Sequence, residues 1–298
     1  MKRIIAIIFF ISIIFSAKAQ QPSTTSKNVD VFIDELLLEE ETITDLIASL
    51  VHFQFLYFSV NYNAATYFSG RDVDIDQFNL TPQISYMHSK GFYASLSGIY
   101  YSEFTPNWDV TKATVGFGKS FGKNKNYSYY TSASVFFYSN DLDNLYNSTL
   151  NTGIGIHTKK RTLGTQISGS FYFGSDTSYQ IISSSYANIY LIKTNKHKLK
   201  LRPQLSIITG TQLVDLTAGS IQNTTLTNEF VEVAETPILQ LSSYSLINSQ
   251  LSIPLQYSVQ SFDFEVGYNF NFPNEIGLET DLENTSFFNF GMAYLLNI

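Results

Sequence analysis

The stretch SFFNFGMAYLLNI, residues 286–298, decides the fold of this chain of 298 residues. Its apolar side chains recur at every second position, which is the period of a β-strand with one apolar face. An unpaired strand of this kind would invite aggregation, whereas in a closed barrel it pairs with the first strand and turns its apolar face to lipid. The stretch therefore predicts the last strand of a membrane barrel, with a lipid face made of Phe288, Phe290, Met292, Tyr294, Leu296 and Ile298.

The same strand resembles the assembly signal of bacterial outer-membrane β-barrel proteins. That signal runs polar, any, Gly, any, any, aromatic, any, large apolar, and the matching residues are Asn289, Gly291, Tyr294 and Leu296. This sequence differs from the usual signal in its last residue, which is Ile298 and not an aromatic residue. The resemblance implies a barrel in the outer membrane that contacts outer-membrane lipid and is inserted by the barrel-assembly machinery.

Residues 1–19 have the three parts of a secretory signal. Lys2 and Arg3 precede an apolar run over residues 4–15, and Ala17-Lys18-Ala19 forms a small-residue cleavage site. The run is too short to cross about 30 Å of hydrocarbon, so we expect the segment to be removed. No cysteine occurs, which excludes a lipid-attachment cysteine and a disulfide framework.

The composition fits a barrel and argues against a nucleic-acid-binding protein. The formal net charge is −7 and becomes more negative when the basic signal is removed, so nucleic acid is not expected as a partner. The chain has 20 Tyr and 25 Phe but a single Trp, and membrane barrels place such aromatics in girdles at both interfaces. The mean hydropathy of −0.01 is expected where lipid-facing and lumen-facing residues alternate.

Residues 20–51 differ from the rest of the chain because they are acidic and have a helical pattern. Apolar stripes over residues 28–41 and 42–51 predict two short helices, and Thr42 with Asp45 fits a capping box for the second. Three roles fit this segment: a periplasmic cap, a plug inside the barrel, or a solvated leader that delivers the first strand.

From residue 52 onward the apolar pattern has a period of two. One parity of most strands is apolar and the other is small or polar, which predicts lipid outside and a polar lumen inside. The eighth strand is the weakest, because Ser183 and Ser185 share the parity of Ile189 and Leu191. The predicted fold is all-β: a transmembrane antiparallel up-and-down β-barrel of about twelve strands over residues 52–298, after a short N-terminal helical segment. The strands are expected at 52–67, 77–88, 92–102, 110–121, 127–138, 146–158, 162–173, 180–192, 198–209, 242–257, 262–272 and 287–298.

The connections between these strands alternate in length and charge. Those after the even-numbered strands are tight and basic, whereas the others are longer and acidic. Transmembrane barrels have short periplasmic turns and long outer loops, so we expect the basic turns and both chain termini in the periplasm. A soluble β-sandwich has no reason to sort its turns in this way. The acidic segment 20–51 is then expected to dock on the basic set, which is Lys90, Lys123, Lys125, Lys159, Lys160, Arg161, Lys193, Lys196 and Lys198.

No catalytic residue, metal site or cofactor site is predicted. The histidines fall at periplasmic strand ends without a convergent set of ligands, which favours solvated rim residues. The outer-membrane phospholipase family places a His and a Ser two residues apart on a strand. No histidine of this chain has Ser at the second position after it, so the sequence favours a protein that is not an enzyme; the histidines are His52, His88, His157 and His197.

Four charged residues are predicted to face the lumen near its periplasmic end. Lys200 and Arg202 lie on the ninth strand, and Asp263 and Glu265 lie on the eleventh, with one strand between them. Opposite charges in a confined lumen would pair and narrow the barrel floor. The functional alternative is a charged ring that selects the ions that pass.

Two functions fit this set of features. A barrel of about twelve strands lies between small barrels filled by side chains and large barrels with a water channel. Its polar lumen face favours a narrow passive channel for small polar solutes. The alternative is a closed barrel that displays its acidic loops for binding or assembly, and the longest loop, residues 209–241, carries no motif that decides between the two.

Overall fold

The computed structural model describes residues 54–72, 75–122, 124–139, 146–194, 197–211, 244–276, 279 and 281–298. The predicted signal at 1–19, the helical segment at 20–51, His52 and most of the loop at 209–241 lie outside the described residues. Among the residues that are described, no helix is long and apolar enough to cross a membrane.

Twelve antiparallel strands close into a barrel, which confirms the predicted fold class and strand number. The segments are β1 (Gln54–Asn63), β2 (Tyr67–Phe68), β3 (Arg71–Asp72), β4 (Asn79–His88), β5 (Phe92–Tyr101), β6 (Trp108–Phe121), β7 (Tyr127–Tyr138), β8 (Tyr146–His157), β9 (Leu163–Gly174), β10 (Thr177–Ala187), β11 (Ile189–Lys193), β12 (His197–Leu201), β13 (Gln204–Gly210), β14 (Ser245–Val259), β15 (Phe262–Pro273) and β16 (Thr285–Asn297). β10 and β11 together form one barrel strand, and so do β12 and β13, which both pair with β14. The short hairpin of β2 and β3 is separate from the barrel sheet.

The barrel is closed by its first and last strands. β1 pairs with β16 from Phe55 opposite Asn297 to Asn63 opposite Asn289. At the chain end, the Ile298 amide donates to the Gln54 carbonyl oxygen at 3.0 Å. Closure satisfies backbone groups that an open edge would leave without partners in lipid.

The barrel is apolar outside and polar over most of its inner wall. Outward side chains such as Ile154 and Val115 expose 65% and 62% of their surface, because lipid takes the place of a protein core around a membrane barrel. Inward side chains such as Ser85 and Ser132 are buried against their neighbours. A shift of one residue would exchange the two faces, so this alternation fixes the register of the strands.

The two ends of the barrel differ in charge. At one end, the turn end, short connections follow β4, β6, β8, β11 and β14, and the last residue of the chain lies beside Gln54. The opposite end, the loop end, carries most of the longer connections. Described turn-end connections contain Lys90, Lys125, Lys159, Lys160 and Arg161, whereas those at the loop end contain Arg71, Asp72, Asp76, Glu103, Asp176, Glu275, Glu279, Asp281 and Glu283.

Two neighbouring barrel strands are interrupted at adjacent positions. β10 ends at Ala187, whose amide donates to the Pro203 carbonyl oxygen at 3.0 Å, and the next residue, Asn188, donates to the Thr162 carbonyl oxygen at 2.8 Å. Pro203 has no amide donor, which explains why the strand formed by β12 and β13 breaks there. The eighth predicted strand, 180–192, whose apolar pattern was the weakest, is therefore present but divided into β10 and β11.

Candidate functional site in the lumen

The structure places the four predicted lumen charges on strands that are near neighbours at the turn end. Lys200 on β12 faces Gln256 on β14, and Gln256 faces Glu265 on β15. Lys200, Arg202 and Asp263 are buried, with 2%, 4% and 1% of their surface exposed. The Gln256 amide donates to Glu265 Oε2 at 2.8 Å and so links the two strands.

An aromatic ring supports Arg202. The guanidinium carbon lies 3.7 Å from the centroid of the Tyr186 ring, which is a cation–π contact. The same ring also lies against Gly164 on β9, where a Cβ atom would be 2.5 Å from Tyr186 Cζ. Because Gly164 has no side chain, the Tyr186 ring can pack flat on the barrel wall and contact the Arg202 guanidinium.

The same packing of a ring on a glycine occurs at two more places on the inner wall. Tyr93 lies opposite Gly116, and Tyr130 lies opposite Gly153. A Cβ atom at either glycine would be 2.3 Å from the nearest ring atom. In all three ring–glycine pairs the aromatic side chain therefore lies along the wall instead of across the lumen.

A ladder of hydrogen-bonded side chains lines the lumen on β14, β15 and β16. Asn289 donates to Glu265 Oε1 at 2.9 Å and accepts from the Asn269 amide at 2.9 Å. Farther toward the loop end, Asn271 accepts from Gln250 at 3.0 Å and donates to Thr285 Oγ1 at 3.1 Å. The complete set, which we call the amide ladder, contains Asn248, Gln250, Ser252, Gln256, Glu265, Asn269, Asn271, Thr285 and Asn289. Mutual hydrogen bonding keeps these groups ordered in a confined space.

Some inward side chains on β1, β14 and β16 are partly accessible to solvent. Asn61 on β1 is exposed, and Gln250, Ser252 and Asn289 are half-buried. Toward the turn end of β1, by contrast, Phe55 is completely buried. The lumen is therefore accessible to solvent along β1, β14 and β16, beyond the buried turn end.

Apolar side chains narrow both ends of the lumen, which the sequence analysis did not predict. Two buried clusters lie at the loop end: the first is Ile99, Tyr101, Val110, Phe136, Tyr146 and Tyr172, and the second is Ile208, Ile247 and Ile276. At the turn end, Phe55, Met87 and Leu295 are buried. The sequence does contain a pattern that could have predicted this narrowing. Near several strand ends, inward as well as outward positions are apolar, as in Leu295 and Leu296.

Lys112 is a further lumen-facing charge that the sequence analysis missed. It lies on β6 between Val110 and Thr114, which are both buried inward residues. Its parity is opposite to that of the exposed Val115. That parity was readable in the sequence and would have identified the side chain as inward-facing.

The residues of the predicted assembly signal lie on both faces of β16. Asn289 belongs to the amide ladder, and Gly291 faces Asn61 so closely that a Cβ atom would be 2.8 Å from Asn61 Oδ1. Tyr294 and Leu296 have the outward parity, and the Tyr294 ring centroid lies 4.8 Å from that of Phe262. The role of these residues in assembly stays a prediction.

The described histidines do not converge on a common site. His88 Nδ1 accepts from the Lys90 amide at 3.0 Å, and His197 Nδ1 lies 2.8 Å from the Tyr257 hydroxyl. His157 is buried, with 6% of its surface exposed, so the expectation of a solvated rim residue is wrong for it. No group of three metal-ligating side chains occurs in the part of the chain that the structure describes.

Solved structures with a similar barrel include bacterial outer-membrane channels. The KdgM porin is 9% identical, with a TM-score of 0.44 over 80% of this chain and 98% of that one. The COG4313 outer membrane channel from Pseudomonas putida F1 is 10% identical, with a TM-score of 0.48 over 84% and 98%. The NanC porin is 10% identical, with a TM-score of 0.43 over 80% and 98%. No family model and no curated protein matches the sequence.

Proposed function

We propose that this closed twelve-stranded barrel of the outer-membrane type is a narrow passive channel for small polar solutes. The observation that carries the proposal is the amide ladder, which offers polar groups along the wall from Glu265 near the turn end to Thr285 near the loop end. A passing solute gives up hydrogen bonds to water, and such a wall can replace them. Exposed Asn61 and half-buried Asn289 support access of water to this path.

The proposed orientation places the turn end and both chain termini in the periplasm of a Gram-negative bacterium. Short basic connections lie at one end and longer acidic ones at the other. This arrangement supports the proposed orientation, because membrane barrels have short turns on the periplasmic side and long loops on the extracellular side. The outward apolar face contacts outer-membrane lipid, and the barrel-assembly machinery inserts the chain. We propose passage and not catalysis, because the described lumen groups bond to one another along the wall instead of converging on one reacting atom.

Electrical recording from planar bilayers tests the channel. We expect the purified, folded protein to give discrete unitary currents in potassium chloride. Liposomes that contain it should swell in small sugars and not in a large dextran, which serves as the size control. A folded barrel that gives neither currents nor swelling would refute the proposal.

The second candidate, a closed barrel that displays its acidic loops, is favoured by the loop-end clusters. Tyr101 and Ile208 are completely buried and Tyr146 is 2% exposed, although all three belong to inward-facing clusters. Side chains packed this tightly would block a wide pore. Under this alternative the recordings stay silent, and the protein binds its partner through the acidic loops in a salt-dependent manner.

A further inference from the structure

The hairpin of β2 and β3 folds into the loop-end mouth of the barrel. The Thr285 hydroxyl donates to the Gly70 carbonyl oxygen at 2.7 Å. The Asn248 side chain lies so close to Gly70 that a Cβ atom there would be 2.7 Å from Asn248 Nδ2. Thr285 and Asn248 belong to the amide ladder on the inner wall, so the tip of the hairpin lies inside the mouth. Gly70 also has a positive φ of 87°, which glycine adopts without strain.

Arg71 connects this hairpin to the loops around it. Its Nε and Nη2 atoms donate to the two carboxylate oxygens of Glu279, both at 2.8 Å. The remaining N–H groups donate to the carbonyl oxygens of Ser69, Ile247 and Asn274 at 3.3, 3.4 and 2.6 Å. Every N–H group of the guanidinium therefore has an acceptor.

Burial strengthens this connection. Arg71 is 7% exposed, and a bidentate arginine–carboxylate pair fixes both position and orientation. At the base of the hairpin, the Tyr67 hydroxyl donates to the Ser286 carbonyl oxygen at 3.3 Å. Burial, together with the Asp72 carboxylate, raises the pKa of the Tyr67 hydroxyl.

We propose that this hairpin is an inserted constriction that sets the size limit for solutes, and that the Arg71–Glu279 pair holds it in the mouth. The inference rests on the proposed channel function. Arg71 bonds to the carbonyl of Ile247, which belongs to the second apolar cluster, so the hairpin and that cluster close the same side of the mouth. Loss of the Glu279 charge leaves a buried guanidinium without its counter-charge, which favours movement of the hairpin into water.

A thiol probe reports the position of the hairpin independently of solute passage. The chain has no cysteine, so Ser69→Cys introduces a single thiol at a residue that is 3% exposed. We expect S69C to react slowly with a polar maleimide, and the double variant S69C/E279Q to react about ten-fold faster, because access governs thiol labelling. The matched control is S69C/E283Q, since Glu283 is exposed in the same loop.

Conductance then tests whether the hairpin limits passage. We expect E279Q to raise the unitary conductance about two-fold and to admit larger sugars, because the narrowest segment dominates flow through a pore. Arg71→Gln should reproduce both effects, and heat-modified migration in gels confirms that each variant has folded.

The outcomes separate the constriction from the channel itself. Equal labelling of S69C and S69C/E279Q would overturn the role of the Arg71–Glu279 pair. Faster labelling with unchanged currents and size limit would show that the hairpin does not restrict passage. Faster labelling in a barrel that never conducts would refute the channel function and leave the Arg71–Glu279 attachment intact.

Discussion

The Tyr130 ring on β7 lies flat over Gly153 on β8, with no room for a Cβ atom between them. Gly153→Val should push the ring away from the wall and into the lumen. We expect about half of the unitary conductance and a loss of about 1–3 kcal/mol in the free energy of unfolding, as for other overpacked sites. Single-channel recording and denaturant titration measure the two effects.

Gly169→Val, on the lipid-facing parity of β9, is the control for the introduction of a valine side chain. The nearest atom to a Cβ at Gly169 is the Gln180 carbonyl oxygen at 3.9 Å, which is an ordinary contact. This variant should conduct and unfold like the original protein. If G153V did the same, the Tyr130 ring would not shape the path.

The charge of Glu265 gives a second prediction, about ion selectivity. Glu265→Gln replaces the carboxyl group on the side of the lumen that carries Lys200 and Arg202 with an uncharged amide of similar size. We expect about a two-fold fall in the ratio of cation to anion permeability, since charged groups in a constriction select ions. Reversal potentials in a potassium chloride gradient measure this ratio.

The same variant separates the two roles considered for the charge cluster. Glu265 accepts hydrogen bonds from Gln256 and Asn289, so an amide there leaves one donor without an acceptor, at a cost of about 1–3 kcal/mol. Lower stability with unchanged selectivity would assign the cluster a structural role. The exposed control Glu283→Gln should change neither property.

The assembly signal gives a third prediction. Tyr294→Ala should lower the fraction of folded barrel in membranes that contain the assembly machinery, by about ten-fold if the signal is read there. Phe288→Ala, on the same lipid face of β16, is the control for lost apolar area. Heat-modified migration of the membrane fraction reports folding. Equal losses for the two variants would point to lipid contact instead of recognition.

A fourth prediction concerns the acidic segment before the barrel. Deletion of residues 24–48 should raise conductance or loosen protease protection of the basic turns, because opposite charges at one end attract. A full-length variant with six of its acidic side chains changed to amides separates the effect of charge from that of chain length; the positions are Asp34, Glu35, Glu39, Glu40, Glu41 and Asp45. No change in conductance or protection would count against docking.

Period-two patterns predicted the barrel well because each strand must present apolar side chains to lipid on one of its faces. The predicted strand 262–272 is observed as Phe262–Pro273, and 242–257 as Ser245–Val259. The largest shift is in the first strand, predicted at 52–67 and observed at Gln54–Asn63, because its apolar pattern runs on into the hairpin.

The lumen was less predictable because its contacts depend on register and on distant residues. Arg71 and Glu279 are 208 positions apart in the chain, and nothing local identifies them as partners. Gln256 and Glu265 meet only because β14 and β15 pair in one particular register. The parity of a residue in its strand tells whether its side chain faces lipid or the lumen. The pairing of the strands decides which other side chains it contacts.

The amide ladder also bears on the conditions in which such a protein works. Primary amides neither gain nor lose a proton across the range of acidity that a bacterial surface meets, so their donors and acceptors do not change with the surroundings. Apart from Glu265, this wall should therefore present the same chemistry in acid and in alkali. A solute that follows these amides therefore meets the same donors and acceptors whatever the external pH.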